Sequence, residues 1–387
     1  MKFEKTAICT ISSNNYLPYG LVCLKSAGKY NSKCDLFYLI ADKYEEHFYE
    51  NEININFVDV ENIGIEKDEL TRLQFKYNII EFNTSIKPTF IKYLFSKGYK
   101  KVIYLDPDTQ TYSSYDYVFN KLSSSDILLT PHKLYPYESK IIEDRLFLNN
   151  GIYNLGFLAV KNTANVNKFL DWWQSKLNNE CYIDYKHGMA TDQIWIELCP
   201  ILFKKTLVLN DDGLNIAFWN INERKINKKN GNYYVNNKTK LKFIHFSSLS
   251  LYKNEELLKN VISYCKEFEE IYNEHIYEVK ENMNNEIINF EYHFSKFDNG
   301  KKIPDYLRFI YGNSKEMIKM FPNPFQVGKN TYYEFCFKKH LGLNFKNSKD
   351  IYGFTRVLIN IFGLNFIAKL YYYSSKSSLL LISRSLG

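Results

Sequence analysis

Two carboxylates at the end of a strand-like run are the residues of this sequence best suited to chemistry. The apolar run 102–105 ends in Asp106, Pro107 and Asp108, and proline stops a strand because it has no N–H to donate. In extended backbone, residues two apart point to the same face, so both carboxylates are predicted to project together. Open α/β sheets bind ligands at the carboxyl ends of their strands. Two convergent oxygens there suit a hard divalent cation, which in turn suits a pyrophosphate. The same tripeptide is also typical of an ordinary turn.

A histidine in a second short strand adds a candidate third ligand. The apolar run 241–246 contains a single imidazole, that of His245. A lone histidine in such a strand is more often a buried core residue. Beside Asp106 and Asp108, however, it would complete a protein face for a six-coordinate ion. A mixture of carboxylates and imidazole fits manganese better than calcium.

The segments that must position these residues alternate as in a βαβ sheet. The strands are predicted at 6–12, 36–41, 55–60, 102–105, 127–130, 153–160, 207–209 and 242–246. Helices are predicted at 17–30, at 166–177, and at 191–199 with Thr191 as N-cap, and 82–85 leads into another with Pro88 in its first turn. A hairpin with an Asn-Gly turn is predicted within 227–240. Helical spacing dominates from residue 255, which predicts an α/β domain over 1–252 and a mostly helical domain over 253–387.

Length and cysteine usage limit the class of protein. The 387 residues exceed the usual size of one domain, and a 45% hydrophobic content is ample for a core. The 7 cysteines are scattered without a Cys-x-x-Cys pair, which argues against a zinc ribbon or a disulfide framework and for a reducing compartment. The N-terminus does not have the pattern of a secretory signal, and no apolar run is long enough to span a bilayer. A cytoplasmic location is therefore expected.

Positive charge is concentrated near the C-terminus. Residues 301–387 contain 14 Lys and Arg against 4 Asp and Glu, although the whole chain carries only +7. Such a segment suggests contact with an anionic surface. The stretch 357–373, followed by Lys376 and Arg384, is compatible with an amphipathic helix at the inner face of the membrane. It is also compatible with a basic helical domain whose apolar faces pack together. No nucleic-acid-binding motif accompanies the charge, so nucleic acid is not an expected partner.

The sequence contains, in this order over about residues 6–250, the motifs TISSNNYLPYG, EFNTSIKPTFIKYLF, YLDPD and FIHFS. Together they resemble the retaining GT-A glycosyltransferases of the glycogenin and bacterial lipopolysaccharide galactosyltransferase type. The opening TISSNNYLPYG is similar to the uridine-binding strand and turn of that family, which implies contacts from Ile11, Ser13 and Asn15. Lys87, in EFNTSIKPTFIKYLF, stands where the family usually has an arginine that reaches the donor, so the planar fork is lost. The motifs YLDPD and FIHFS imply that a bound Mn²⁺ or Mg²⁺ is held by the following residues: Asp106, Asp108 and His245.

The resemblance also implies residues that contact the donor sugar. Asn154 in IYNLGFLAV corresponds to an asparagine at the start of a sugar-facing strand. Asp192 and Gln193 in ATDQIWIEL match the family's Asp-Gln pair, so Asp192 is expected to fix sugar hydroxyls and Gln193 to lie beneath the anomeric carbon. No general base is assigned, because the leaving phosphate can take the acceptor proton.

The segment after His245 departs from the pattern of the family, and the segment 211–226 is more similar to another part of this broad group than to glycogenin. The family closes over the diphosphate with a Gly and a Lys-Pro-Trp after the histidine, whereas here Lys253, at a different spacing, is the candidate for that phosphate contact. The segment 211–226 resembles bacterial surface-polysaccharide transferases and would either shape the acceptor cleft or form a packed turn. Its candidate residues are Asn215, Trp219, Asn220 and Arg224.

The resemblance implies a GT-A type, Rossmann-like mixed sheet flanked by helices, whereas spacing and charge predict the mostly helical, basic C-terminal region. It also implies a metal-dependent hexosyltransferase. Such an enzyme moves a hexose or N-acetylhexosamine from a UDP-sugar to a glycan or lipid-linked acceptor, with retention, in bacterial surface polysaccharide or lipopolysaccharide biosynthesis. Two alternatives stay open. A sugar nucleotidyltransferase uses similar carboxylates, but the first strand lacks the Gly-rich phosphate loop expected of it. A non-catalytic glycan- or membrane-binding module would retain the transferase fold without the activity.

Overall fold

The structure is a computed structural model that describes residues 4–50, 52–185, 188–251 and 254–337. Its strands are β1 (Thr6–Ser12), β2 (Asp35–Ile40), β3 (Ile55–Asp59), β4 (Lys101–Leu105), β5 (Thr109–Thr111), β6 (Ile127–Pro131), β7 (Tyr153–Lys161), β8 (Ile183–Asp184), β9 (Met189–Ala190), β10 (Thr206–Val208), β11 (Ile226–Lys229), β12 (Asn232–Val235), β13 (Thr239–Lys240) and β14 (Phe243–His245). Its helices are α1 (Leu17–Tyr30), α2 (Lys67–Lys76), α3 (Ile79–Ser85), α4 (Lys87–Ser96), α5 (Asp116–Ser124), α6 (Arg145–Asn150), α7 (Ala164–Glu180), α8 (Cys199–Leu202), α9 (Glu255–Tyr264), α10 (Glu267–Glu281), α11 (Asn285–Ile288), α12 (Asp305–Asn313), α13 (Lys315–Met320) and α14 (Tyr332–Phe337).

The central sheet has seven strands in the order β10-β6-β7-β4-β1-β2-β3. Strand β7 runs antiparallel to both of its neighbours, β4 and β6, whereas the other neighbouring pairs are parallel. β1 and β4 are almost wholly buried apolar runs, as expected where helices cover both faces of a sheet. The predicted fold class, an α/β Rossmann-like mixed sheet flanked by helices, is confirmed.

Helices α1 and α4 each carry a proline in the first turn, and α4 delivers Lys87 to the site described below. α1 follows the turn after β1 and carries Pro18, and its apolar face joins the core formed with Tyr38 and Ile103. α4 begins at Lys87 and carries Pro88, which is tolerated there because the first N–H groups of a helix have no intrahelical partner. The start of α4 therefore fixes where Lys87 enters the fold.

The described residues form two compact units. The first comprises the chain up to Ile65 together with Ile79–Tyr292, and the second comprises Glu66–Asn78 together with the described residues from His293 onward. This division differs from the predicted boundary near residue 252. The reason is apolar packing, because Phe268 and Ile271 of α10 join a core cluster with Phe246 of the first unit. The described part beyond residue 252 is helical, as predicted.

Two sequence predictions fall on residues outside the described ranges. Lys253, the candidate phosphate contact, is one of them, and the stretch 357–373 with Lys376 and Arg384 is the other. Within the described ranges, no helix combines the length and the apolar character needed to cross a membrane. The Asn-Gly hairpin is present, with Asn230 and Gly231 at positive φ between β11 and β12.

Candidate functional site

The carboxylates of Asp106 and Asp108 converge at the carboxyl end of β4, as predicted, but through a turn. The N–H of Thr109 donates to the carbonyl of Asp106 at 3.1 Å, so residues 106–109 close a turn around Pro107. The N–H of Asp106 donates to the carbonyl of Gly156 at 2.9 Å and ties the turn to β7. The turn interpretation and the ligand interpretation of this tripeptide are therefore compatible.

Strand pairing brings the distant histidine to these carboxylates. β14 pairs antiparallel with β5, so that His245 lies opposite Thr109, and the N–H of Phe246 donates to the carbonyl of Asp108 at 2.8 Å. The His245 Nε2 lies 3.0 Å from Asp108 Oδ1 and 3.8 Å from Asp106 Oδ2. One ligand atom from each of the three residues lies within 4.8 Å of the others. The chain thus assembles two carboxylates and one imidazole at a single point.

The missing side chain of Gly156 makes room for this imidazole. A Cβ atom at residue 156 would lie 2.3 Å from Cε1 and 2.5 Å from Nδ1 of His245. Such a separation is far inside van der Waals contact, and the backbone of Gly156 cannot move away freely because its carbonyl accepts from Asp106. Any larger residue at this position would displace His245 or the turn.

Lys87 is buried between two carboxylates at the wall of the cavity described below. Its Nζ lies 3.2 Å from Asp106 Oδ1 and 2.9 Å from Asp192 Oδ2, and it donates to the Leu155 carbonyl at 3.1 Å. The side chain is only 2% exposed. Burial lowers the pKa of Lys87, but the charges of Asp106 and Asp192 more than offset this and raise it overall. The lysine is therefore charged, and it links the cation ligand Asp106 to Asp192.

The segment after β9 differs from its prediction as one helix over 191–199. Thr191 has a φ of 49°, in the left-handed region, and its hydroxyl donates to Asp192 Oδ1 rather than capping a helix. A 3₁₀-helix follows at Ile194–Leu198, and α8 comes after it. This turn is held by the ion pair between Asp192 and Lys87. The Nε1–H of Trp173 also donates to the backbone carbonyl of Asp192. Burial raises the pKa of Asp192, and Lys87 opposes that shift.

The other predicted sugar contacts bond mainly to protein. Gln193 accepts from the Leu155 N–H at 3.0 Å and donates to the Asn150 carbonyl at 2.7 Å. Asn154 accepts from the Gly156 N–H and from His245 Nδ1, both at 3.1 Å. Both side chains also line the cavity described below, so direct contact of each with a sugar stays a prediction.

The predicted nucleoside contacts lie at the carboxyl end of β1, the strand next to β4. Ile11 and Ser13 are buried, Asn15 is exposed, and Ser13 Oγ accepts from Asn83 Nδ2 at 3.2 Å. None of the three is among the residues that line the cavity. The structure therefore places them near the edge of the sheet that carries Asp106, without joining them to the cluster.

A cavity of about 350 Å³ lies against the cluster. Its charged and polar lining includes Lys87, Asp106, Asp108, His132, Asn154, Asp192, Gln193 and His245. Its apolar and aromatic lining includes Ile80, Ile142, Phe147, Tyr185, Phe218 and Trp219. Three carboxylates share this space with one lysine, so the cavity favours a cationic ligand or an anionic ligand that carries a cation with it.

Three side chains of the site were not predicted from the sequence. The hydroxyl of Tyr104 donates to Asp106 Oδ1 at 2.7 Å, and the period of a strand could have revealed it, because Tyr104 stands two residues before Asp106. His132 directly follows β6 and could have been found by the same strand-end rule that singled out Asp106. Tyr185 gave no signal.

The segment 211–226 divides between the two roles proposed for it. Trp219 lines the cavity and meets the His245 ring edge to face, with ring centres 5.3 Å apart. Asn220 donates to the carbonyls of His132 and Asn215, and Arg224 is buried against Asp212. The packed-turn interpretation therefore holds for these last residues, and Trp219 alone of the candidates lines the cavity.

The donor set fits a divalent cation such as Mn²⁺ or Mg²⁺. Two carboxylates and one imidazole are the ligand types that manganese accepts. Burial lowers the pKa of His245, but Asp108 and Asp106 raise it by more, so without a cation its Nε2 shares a proton with Asp108. A cation bound here would replace that proton, because a ligating imidazole nitrogen must be deprotonated.

Comparisons with known proteins give distant likenesses. No family model matches the sequence. The chain is 23% identical to uncharacterized protein YfnF of Bacillus subtilis (strain 168) over 256 residues, which covers 65% of this chain and 84% of YfnF. It is 25% identical to uncharacterized protein YfnD of the same strain over 230 residues, covering 58% of this chain and 72% of YfnD.

Among solved structures, the galactosyltransferase LgtC in complex with donor and acceptor sugar analogues is similar with a TM-score of 0.37 and 17% identity. That match covers 55% of this chain and 75% of LgtC. The values are too low to establish a shared function, so any inference about function depends on the residues of the site.

The Gly156→Ala variant should lose both stability and divalent-cation affinity, because the new methyl group forces His245 away from Asp108. We expect the free energy of unfolding to fall by about 1–3 kcal/mol, the usual cost of overpacking. Urea denaturation and calorimetric titration with Mn²⁺ measure the two effects. Gly98→Ala is the control, since its Cβ meets nothing within 4 Å although its φ is 91°. That control should lose stability and keep its cation affinity, and equal cation affinity in both variants would contradict the prediction.

The Lys87→Met variant should be strongly destabilised, because it leaves Asp192 buried without its cation. Removing one partner of a buried pair costs about 3–5 kcal/mol. Lys92→Met is the matched control on the same helix, since Lys92 is 45% exposed and pairs with the exposed Asp171. The loss there should be about 1 kcal/mol or less. Urea denaturation of both variants is the measurement, and similar losses would show that Lys87 does not hold the cluster together.

Proposed function

We propose that this chain is a metal-dependent glycosyltransferase. It moves a hexose or N-acetylhexosamine from a UDP-sugar to a glycan or lipid-linked acceptor, with retention of configuration, in the biosynthesis of a bacterial surface polysaccharide. The observation that carries the proposal is the convergence of Asp106, Asp108 and His245 at the carboxyl end of β4, beside a cavity of about 350 Å³. Open α/β sheets bind their ligands at such strand ends.

The charges of the site suit a nucleoside diphosphate as leaving group. The residues Asp106, Asp108 and His245 would hold Mn²⁺ or Mg²⁺, and a bound cation supplies positive charge where the leaving phosphate becomes negative. Lys87 contributes a second, permanent positive charge next to Asp106. A bare diphosphate would meet three carboxylates, so we expect the nucleotide to bind together with its cation.

The remaining residues of the cavity are assigned by their chemistry. Asp192 is the candidate for binding sugar hydroxyls, because its carboxylate is buried at the cavity wall and stays paired with Lys87. Gln193 and Asn154 line the same wall and restrict where the sugar ring can lie. The proton of the acceptor hydroxyl is assigned to the leaving phosphate. Ile11, Ser13 and Asn15 are proposed to contact the nucleoside, and Lys253 to contact the phosphates.

The aromatic part of the lining supports a sugar acceptor. Phe147, Tyr185, Phe218 and Trp219 all border the cavity. Rings of this kind bury large apolar area, and the C–H faces of a pyranose offer matching apolar surface. Binding of the basic C-terminal stretch to an anionic membrane, which would bring the enzyme to a lipid-linked acceptor, stays a prediction from composition.

Calorimetric titration with UDP, with and without Mn²⁺, tests the proposed function. We expect Mn²⁺ to tighten UDP binding by about 5–150-fold, the usual range of coupling between two ligands. The Asp106→Asn, Asp108→Asn double variant should abolish this increment, because neutral amides are poor ligands for a hard cation.

The control carries the same chemical change on two exposed acids, Asp116→Asn with Asp171→Asn, and should retain the increment. UDP binding that ignores Mn²⁺, or an increment that persists in the Asp106, Asp108 double variant, would contradict the proposed function. A screen of UDP-sugars for slow hydrolysis to free sugar would then identify the donor.

A further inference from the structure

One side-chain amide joins the candidate metal ligand His245 to a second buried histidine. The Asn154 Oδ1 lies 3.1 Å from both the Gly156 backbone nitrogen and His245 Nδ1. The Asn154 Nδ2 lies 3.3 Å from His132 Nε2 and 3.4 Å from Gln193 Oε1. All four hydrogen-bonding positions of the amide are therefore used inside the protein.

The orientation of this amide follows from the backbone. A backbone N–H only donates, so the Asn154 atom that faces the Gly156 nitrogen must be the carbonyl oxygen. The same oxygen faces His245 Nδ1, and an oxygen of this kind only accepts. His245 must then carry a proton on Nδ1.

The position of that proton decides which nitrogen is available to a cation. With Nδ1 protonated and bonded to Asn154, the lone pair of the neutral imidazole is on Nε2, the atom that faces Asp108 and Asp106. In the opposite tautomer Nε2 would carry the proton and could not bind a cation. We infer that Asn154 is a positioning residue that selects the cation-binding tautomer of His245, and that the Gly156 N–H holds the amide in the required orientation with His132 as an additional acceptor.

The environment of His132 agrees with this assignment. The amide NH₂ group donates toward His132 Nε2, so that nitrogen must be unprotonated. Burial, the largest influence, lowers the pKa of His132 to about 4, although the backbone carbonyls of Ile152 and Gly151 oppose the shift. His132 is therefore neutral near pH 7 and able to accept. A protonated His132 would instead turn an N–H toward the amide and favour the reverse orientation.

The expected change in cation affinity rests on the proposed function, whereas the hydrogen-bond geometry of Asn154 does not depend on it. Outer partners of a ligating histidine typically change metal affinity by about 10–100-fold when they are replaced. We expect a loss of this size for Asn154→Leu, which has a similar shape but no acceptor. Asn154→Asp should lose less, because it still accepts from His245. His132→Leu should also lose less, because the Gly156 N–H alone still orients the amide.

The full-length chain, labelled with ¹⁵N-histidine, allows the proton to be observed directly. The His245 signals are assigned by their absence in His245→Gln, and Mg²⁺ replaces Mn²⁺ because it is diamagnetic. The wild type should show a protonated Nδ1 in slow exchange with water, both with and without Mg²⁺. Asn154→Leu should lose this signal, Asn154→Asp should keep it, and His47→Gln, which changes an exposed histidine, should leave it unaltered.

Titration of the same variants with Mg²⁺ and Mn²⁺ gives the affinities. A wild-type His245 with an unprotonated Nδ1 would overturn the inference even if every Asn154 variant failed to fold. So would an Asn154→Leu protein that keeps both the signal and the wild-type affinity. A wild type that binds neither cation would contradict the proposed function, while the Nδ1 signal would still decide the role of Asn154.

Discussion

The structure of the site depends on how its buried negative charge is balanced. Asp106, Asp108 and Asp192 border one cavity, and like charges at this separation repel one another unless cations lie among them. Lys87 supplies one cation between Asp106 and Asp192. Burial lowers the pKa of His245, but Asp108 and Asp106 raise it by more, so the protonated imidazole is the second cation. When that imidazole gives up its Nε2 proton, the same atoms form a ligand set for a divalent cation, so the balance of charge and the capacity to bind a metal have a common origin.

Three consecutive residues of β7 arrange these charges. Asn154 holds His245, Leu155 offers its carbonyl to Lys87 and its N–H to Gln193, and Gly156 accepts from Asp106 while leaving space for the imidazole. The backbone of this segment is available because the pairing of β6 with β7 shifts register between Leu129 and Thr130. Irregular pairing of this kind frees N–H and carbonyl groups that a regular ladder would consume, and bulges are over-represented next to active sites.

Local sequence predicts the elements of this site better than it predicts their final contacts. The apolar runs and the proline of Asp106-Pro107-Asp108 were enough to place a strand and two carboxylates at its end, because both follow from backbone geometry. The short apolar run 241–246 identified His245 as a candidate third ligand, but His245 is distant in sequence and reaches Asp108 only through the pairing of β14 with β5. The helix predicted over 191–199 is broken because the buried charge of Lys87 holds Asp192 in a turn, and such long-range effects override local propensity. The packing of α10 into the core of the first unit is another tertiary effect of this kind.

The presence of lysine instead of arginine at residue 87 follows from the same geometry. An ammonium group has three protons, and three oxygens surround Nζ, those of Asp106, Asp192 and the Leu155 carbonyl, at 3.2, 2.9 and 3.1 Å. The Tyr104 ring lies 4.4 Å from the same nitrogen and closes the remaining side. A planar guanidinium spreads its five N–H donors in a fixed fork, whereas the three oxygens here are arranged around a single nitrogen atom. Lys87 can therefore contact a donor only by giving up one of its present partners. Its first role is to hold Asp106 and Asp192 together, and the arginine of the resembling family and the lysine of this chain are not interchangeable here.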